Sequence, residues 1–166
     1  MSWITIISII FCISLFQTTI LFHTSILGIQ PDLFIIFLVY CSLNLNLERA
    51  FHANWATGLA KDIFSEGCFG LNTIIFVIVG YLISMIKDEI FRKHLVTQIV
   101  VTLIISIIYN FMYLFMLSFT LTSVSLLTMI WKCVIISVYN SIIVFPVFWL
   151  FDKTYTLSGI SSLDRK

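Results

Sequence analysis

Apolar residues run through this chain in helix-length blocks separated by isolated charges. Residues 1–31 contain no Lys, Arg, Asp or Glu, and a first helix over 4–22 fits them, followed by the polar cluster His23, Thr24, Ser25 and a turn from Gly28 to Pro31. Pro31 suits the start of a second helix, over 32–47, because its missing N–H falls where helices have no internal partner. Asp32 stands where a carboxylate favours the positive end of the helix dipole. Glu48 and Arg49 mark a short loop, and 50–64 forms a third, weakly apolar helix that contains Asn54, Lys61 and Asp62. A cleanly apolar fourth helix over 71–86 is closed by Lys87, Asp88, Glu89, Arg92 and Lys93. The uncharged stretch from His94 to Trp131 is longer than one helix needs, so it divides around 120–125 into helices over 95–117 and 126–151. The sixth helix carries Lys132 near its start and Pro146 near its end, and a polar tail over 152–166 finishes the chain.

Composition places these helices in lipid. Of 166 residues, 60% are hydrophobic and 10% charged, against about 25% charged in soluble domains, and the mean hydropathy is +1.10. Eight acids and nine bases cannot cover the surface of a water-soluble fold of this size. With roughly 20 residues per crossing there is room for five to seven helices and for no soluble domain. The expected architecture is therefore an all-α membrane protein, a bundle of six transmembrane helices.

Orientation follows from the Lys and Arg positions, which favour cytoplasmic loops. With the N-terminus inside, Arg49, then Lys87, Arg92 and Lys93, then Lys153, Arg165 and Lys166 all fall on the cytoplasmic side. Both ends are expected in the cytoplasm. The N-terminus lacks a basic residue before its apolar stretch and a small-residue cleavage site, so it reads as a retained first helix.

Other chemistries find little support. A net charge of +1 with singly scattered bases gives no basic stripe for nucleic acid. Cys12, Cys41, Cys68 and Cys133 lie far apart and read as small buried hydrophobes. His23 has no second ligand at metal spacing. The chain contains no Gly-rich phosphate loop, no H-E-x-x-H and no nucleophile elbow. No catalytic residue, cofactor or metal is expected.

Polar groups at membrane depth are the functional candidates, since each is costly there unless paired or solvated. Asn54, Gly58 and Asp62 recur every four residues and share one face of the third helix, with Glu66 continuing the line. Matching depths suggest that Asp62 pairs with Lys132, leaving Lys61 and Glu66 to reach the external headgroups. Thr128, Lys132 and Asn140 share another face. Cys133, Ser137 and Ser141, like Gly80 and Ser84, form small-residue stripes suited to close helix contact. Asn110, four residues from Ser106, reads as an interhelical hydrogen bond.

Two stretches together carry a family resemblance. Pro31-Asp32-Leu33 opens a helix. About 25 residues later come Gly58-Leu59-Ala60-Lys61-Asp62-Ile63-Phe64-Ser65, then Gly67-Cys68-Phe69-Gly70-Leu71-Asn72, then Gly80-Tyr81-Leu82. In this order they resemble the rod shape-determining protein MreD family, in which a proline and aspartate open the second span. A glycine and an aspartate fall late in the third, and a glycine-rich connection leads to a glycine-leucine-asparagine opening of the fourth. Gln17 matches the hydrogen-bonding residue common late in the family's first span. The position of Lys61 is variable there.

The resemblance implies a non-catalytic component of the bacterial inner membrane that serves cell elongation. It would act as a scaffold for MreC, together with the actin-like MreB, a RodA-type glycosyltransferase and a class B penicillin-binding protein that build side-wall peptidoglycan. The implied fold resembles the substrate-binding components of energy-coupling-factor transporters, which supplies the rival reading of a vitamin-type binding component. The residues expected to form a partner-binding or structural polar core are Asp32, Asn54, Gly58, Asp62, Glu66, Gly67, Gly70, Asn72 and Lys132. The connection 66–72 is expected to be the docking surface for MreC.

Overall fold

The computed structural model describes residues 3–21, 30–65, 69–87, 95–118 and 126–157. It is all-helical, with α1 at Trp3–Phe16, α2 at Leu33–Asn44, α3 at Leu47–Phe64, α4 at Leu71–Ile86, α5 at Leu95–Ser118 and α6 at Leu126–Leu157. A π-helical segment, Gln17–Leu21, extends α1. Three expected boundaries shift by three residues or more. The second helix, expected to reach 47, ends at Asn44. Glu48 and Arg49, expected as a loop, lie in the first turn of α3, where Glu48 meets the positive end of the dipole. The sixth helix continues past 151 to Leu157, so part of the expected polar tail is helical.

The other five helices pack around α2. Every residue from Phe34 to Leu43 is buried, which explains why this helix is apolar all round rather than on one stripe. Packing is tightest between α3 and α4 and between α5 and α6, and α2 touches all the other five. Aromatic contacts fasten α2 to α6: the Phe37 and Phe151 rings meet edge to face at 5.2 Å, as do Tyr40 and Phe148.

The surface is the reverse of a soluble protein's. Ile4, Ile7 and Phe11 on α1, Ile74, Leu82 and Met85 on α4, Phe111 on α5 and Trp131, Ile142 and Trp149 on α6 are all exposed, while Asn54, Thr57, Asn72, Thr102, Ser106, Ser137 and Asn140 are fully enclosed. Apolar faces this extensive require lipid or partners. Val96–Tyr113 of α5 and Ile130–Thr154 of α6 are long and apolar enough to cross a bilayer, whereas α1, α2 and α4 contribute shorter apolar helices.

Candidate functional site: a polar layer joining the helix ends

The polar side chains gather in one layer, at the end of the bundle where α2 and α4 begin. Asp32 is the N-cap of α2, and its Oδ1 accepts from the N–H groups of Phe34 and Ile35 at 3.1 and 3.4 Å. A cap is needed because the first N–H groups of a helix have no internal partner, and lipid supplies none. The N–H of Asp32 itself donates to Asn140 Oδ1 of α6 at 2.7 Å, and Asn140 Nδ2 donates to Ser106 Oγ of α5 at 3.1 Å. From the π-helical segment after α1, Gln17 Oε1 accepts from the Leu33 N–H at 3.1 Å while its Nε2 donates to the Pro31 carbonyl at 3.2 Å.

The start of α4 is capped from another helix. Gly70 occupies its N-cap position with φ +93°, a left-handed conformation that favours glycine, and has no side chain to offer. Asp62 of α3 takes over. Its Oδ1 accepts from the Asn72 N–H at 3.0 Å and Asn72 Nδ2 at 2.9 Å. Its Oδ2 accepts from the Thr73 N–H at 3.0 Å and from the Thr73 hydroxyl. These backbone donors are the two that an N-cap side chain ordinarily satisfies, so Asp62 works as a cap supplied from outside the helix. Four donors and the dipole of α4 compensate a carboxylate that is 4% exposed.

Lys61, the neighbour of Asp62, turns to Asp32 and forms an ion pair with its Oδ2. The ammonium lies 4.2 Å from the Tyr109 ring centroid and 5.4 Å from that of Phe76, an arrangement in which ring faces attract a cation. Tyr109 closes the layer by donating from its hydroxyl to Asn72 Oδ1. Lys61 and Asp62 thus tie the end of α3 to the starts of α2 and α4 at once.

The expected Asp62–Lys132 pair does not form. Asp62 is engaged by Asn72 and Thr73, and Lys132 stands exposed on α6. Lys61, expected to reach headgroups, pairs instead with Asp32. Depth along a helix is legible in a sequence, but the direction in which a side chain leaves the bundle is not, and α6 turns Lys132 outward.

Asn54 and Gly58 are buried on the same face of α3 as Asp62, two turns and one turn below the layer respectively. Gly58 lies so close to α4 that a Cβ there would stand 2.6 Å from the Thr73 Cα. Asn54 Nδ2 donates to Ser42 Oγ of α2 at 2.8 Å, beneath Gly80, whose own Cβ would lie 2.0 Å from that Nδ2. Asn72 belongs to the layer. Glu66 and Gly67 lie outside the described residues, while Phe69 beside them is 72% exposed. Sequence reasoning passed over Tyr109 and Thr73. The Tyr109-Asn110 pair signalled a polar turn in α5, but nothing local pointed to Asn72.

Comparison with protein families places this arrangement. A family model described as rod shape-determining protein MreD matches residues 1–154. The chain belongs to the MreD family. Comparisons with curated proteins and with solved structures return no match. Membership implies a role in rod-shape determination, and with the two long apolar helices it indicates a membrane protein. Motif residues that carried the resemblance contribute to the layer: Asp32 and Asp62 cap α2 and α4, Lys61 pairs with Asp32, Asn72 donates to Asp62 at the turn that Gly70 opens, and Gly58 and Gly80 allow α3, α4 and α2 to approach.

Proposed function

We propose that this MreD-family chain is a non-catalytic scaffold of the bacterial cell-elongation apparatus. In this reading it crosses the inner membrane six times with both ends in the cytoplasm. It holds MreC and, through the complex, MreB, a RodA-type glycosyltransferase and a class B penicillin-binding protein in position to build the side wall. The observation that carries it is that the polar groups of the layer bond one another across helices. Asp62 is engaged by four donors and Lys61 by Asp32, so these groups join helices to one another. The apolar faces of α1, α4, α5 and α6 are left for lipid and for partner helices. Phe69, exposed beside Gly70 at the turn into α4, is an aromatic anchor of the kind that interfaces use.

A vitamin-binding component needs a pocket in which polar groups converge. Among the described residues, a hollow of about 450 Å³ on the outer face of α5, lined by Ile107, Ile108, Phe111, Met112 and Phe115, offers no such polar groups. Depletion of the protein in a rod-shaped host tests the proposal. Rounding of the cells supports it, whereas unchanged shape with a new vitamin requirement overturns it. A photo-crosslinking residue in place of Phe69 is expected to capture MreC in intact cells, and failure to do so would remove this surface from the scaffold.

A further inference from the structure

Tryptophan in a membrane protein favours the headgroup level, where its ring sits in the apolar zone and its indole N–H meets water or lipid carbonyls. Three of the four tryptophans of this chain keep to helix ends and polar company. Trp3 opens α1 and meets the edge of the His52 ring at 5.8 Å, Trp131 precedes the exposed Lys132, and Trp149 lies under Lys153, whose Nζ is 5.3 Å from its ring centroid. Trp55 does not. It stands on α3 six residues from Arg49 and six from Lys61, about 9 Å along the helix from either charge, and it is 49% exposed.

A second donor stands beside it. Tyr81 of α4 is 43% exposed and lies six residues from Lys87, again about 9 Å. Their neighbours fix the two at one level, since Asn54 of α3 meets Gly80 of α4 so closely that a Cβ on the glycine would lie 2.0 Å from Asn54 Nδ2. Trp55 and Tyr81 are the residues that follow this contact on each helix. Because α3 and α4 run in opposite directions, the step of about 100° after the contact carries both side chains to the same outer side of the pair. The stripe they share is otherwise apolar: Phe51 and Leu59 lie one turn from Trp55, and Val77 and Ile74 lie one and two turns from Tyr81. Among the described residues, neither the indole N–H of Trp55 nor the hydroxyl of Tyr81 meets an acceptor, and lipid tails offer none.

We propose that the outer face of the α3–α4 pair seats a transmembrane helix of a partner protein, and that Trp55 and Tyr81 donate to hydrogen-bond acceptors which that helix carries at their depth. The inference rests on the six-crossing scaffold reading above and deepens it. A partner helix supplies what lipid lacks, because Ser, Thr, Asn and Gln side chains join helices within membranes. Trp and Tyr are also among the residues on which interfaces concentrate their binding. The face continues past the exposed Ile63 and Ile74 toward the α3–α4 turn and Phe69, the aromatic anchor assigned to the partner above. The outer face of α5, with Val100, Ile104, Ile107 and Phe111 exposed, carries no donor of this kind and suits lipid.

The test uses the full chain co-expressed with MreC, the partner proposed above, and isolated in mild detergent. Trp55→Phe and Tyr81→Phe each remove a donor and keep a ring. The double variant is expected to retain about tenfold less MreC than the wild type, the loss of two hydrogen bonds between membrane helices. Its thermal midpoint without MreC should match the wild type, because neither donor is bonded within the described chain. In intact cells, a photo-crosslinking residue in place of Phe51 or Ile74 is expected to capture a membrane-spanning peptide of MreC, and one in place of Ile104 to capture none. Undiminished retention by the double variant overturns the proposal, as does capture of MreC at Ile104 and not at Phe51 and Ile74. Capture of a second copy of this chain at Phe51 and Ile74 overturns it too, since the face would then join like subunits. If the wild type itself retains no MreC, the scaffold reading fails and this face with it.

Discussion

Two glycines that look alike in the sequence are constrained by different neighbours. A methyl group at Gly58 would stand 2.6 Å from the backbone of Thr73, whereas one at Gly80 would meet the side chain of Asn54. Overpacking of this kind costs about 1–3 kcal/mol. Gly58→Ala is expected to lower the thermal midpoint in detergent with no rescue from Asn54→Ala, because backbone cannot be trimmed. Gly80→Ala should be destabilising alone and largely restored by Asn54→Ala. Equal behaviour of the two glycines toward Asn54→Ala would contradict the packing described here. At Asp62 the prediction concerns hydrogen bonds. Asp62→Asn would turn an NH2 toward donors from Asn72 or Thr73, and leaving such a buried donor unpaired costs about 1–3 kcal/mol. Chemical unfolding in mixed micelles should show Asp62→Asn to be nearly as damaging as Asp62→Ala. The face shared by Asn54, Gly58 and Asp62 was legible because spacing by four places residues on one side of a helix. The partner of Asp62 was not, since a carboxylate beside a lysine gives no sign that a helix start ten residues on will occupy it.

At the scale of the helix, the Asp32–Lys61 pair does two things: it neutralises a partly buried charge and fixes the start of α2 to the end of α3. Removing one partner leaves the other uncompensated, which is worse than removing both. Asp32→Ala and Lys61→Met are each expected to lower stability, and the double variant to fall short of their sum by about 1 kcal/mol or more. Strict additivity in unfolding midpoints would show that the pair is not coupled. Most helices could be placed from the apolar blocks, and the fourth was placed to the residue at 71–86. The central position of α2 could not. A helix apolar on every side satisfies lipid and a protein core equally, and its ten consecutive buried residues reflect enclosure by the other five helices. The ends of α3 and α6 were displaced for a related reason, since charged residues such as Glu48, Arg49, Asp152 and Lys153 remain helical where the helix leaves the apolar zone.

Across the whole molecule, two groups of helices meet along a seam that polar contacts cross at several levels. α1 to α4 form one group and the α5–α6 hairpin the other, and the residues between them, 88–94, carry Asp88, Glu89, Arg92 and Lys93. Asn140 reaches Asp32 and Tyr109 reaches Asn72 in the layer, and Tyr40 reaches Asp152 at the opposite end. Because α2 is sheathed by both groups, neither can bury its own core alone. In lipid, where apolar surfaces gain little by meeting each other, packing and such bonds drive association, at about 1 kcal/mol per interhelical bond. The chain divided between residues 90 and 91 and expressed as two pieces is therefore expected to reassemble in the membrane and co-purify. Combining Asn140→Ala with Tyr109→Phe removes two of the bonds across the seam, about 2 kcal/mol, and should reduce recovery of the assembled pair roughly tenfold or more. A change confined to the lipid-facing side, such as Ile142→Ala, exposed on α6, should leave recovery unchanged. Undiminished assembly in the double variant would mean that close packing of α2 against α5 and α6 joins the halves, with the polar layer serving only to cap its own helices.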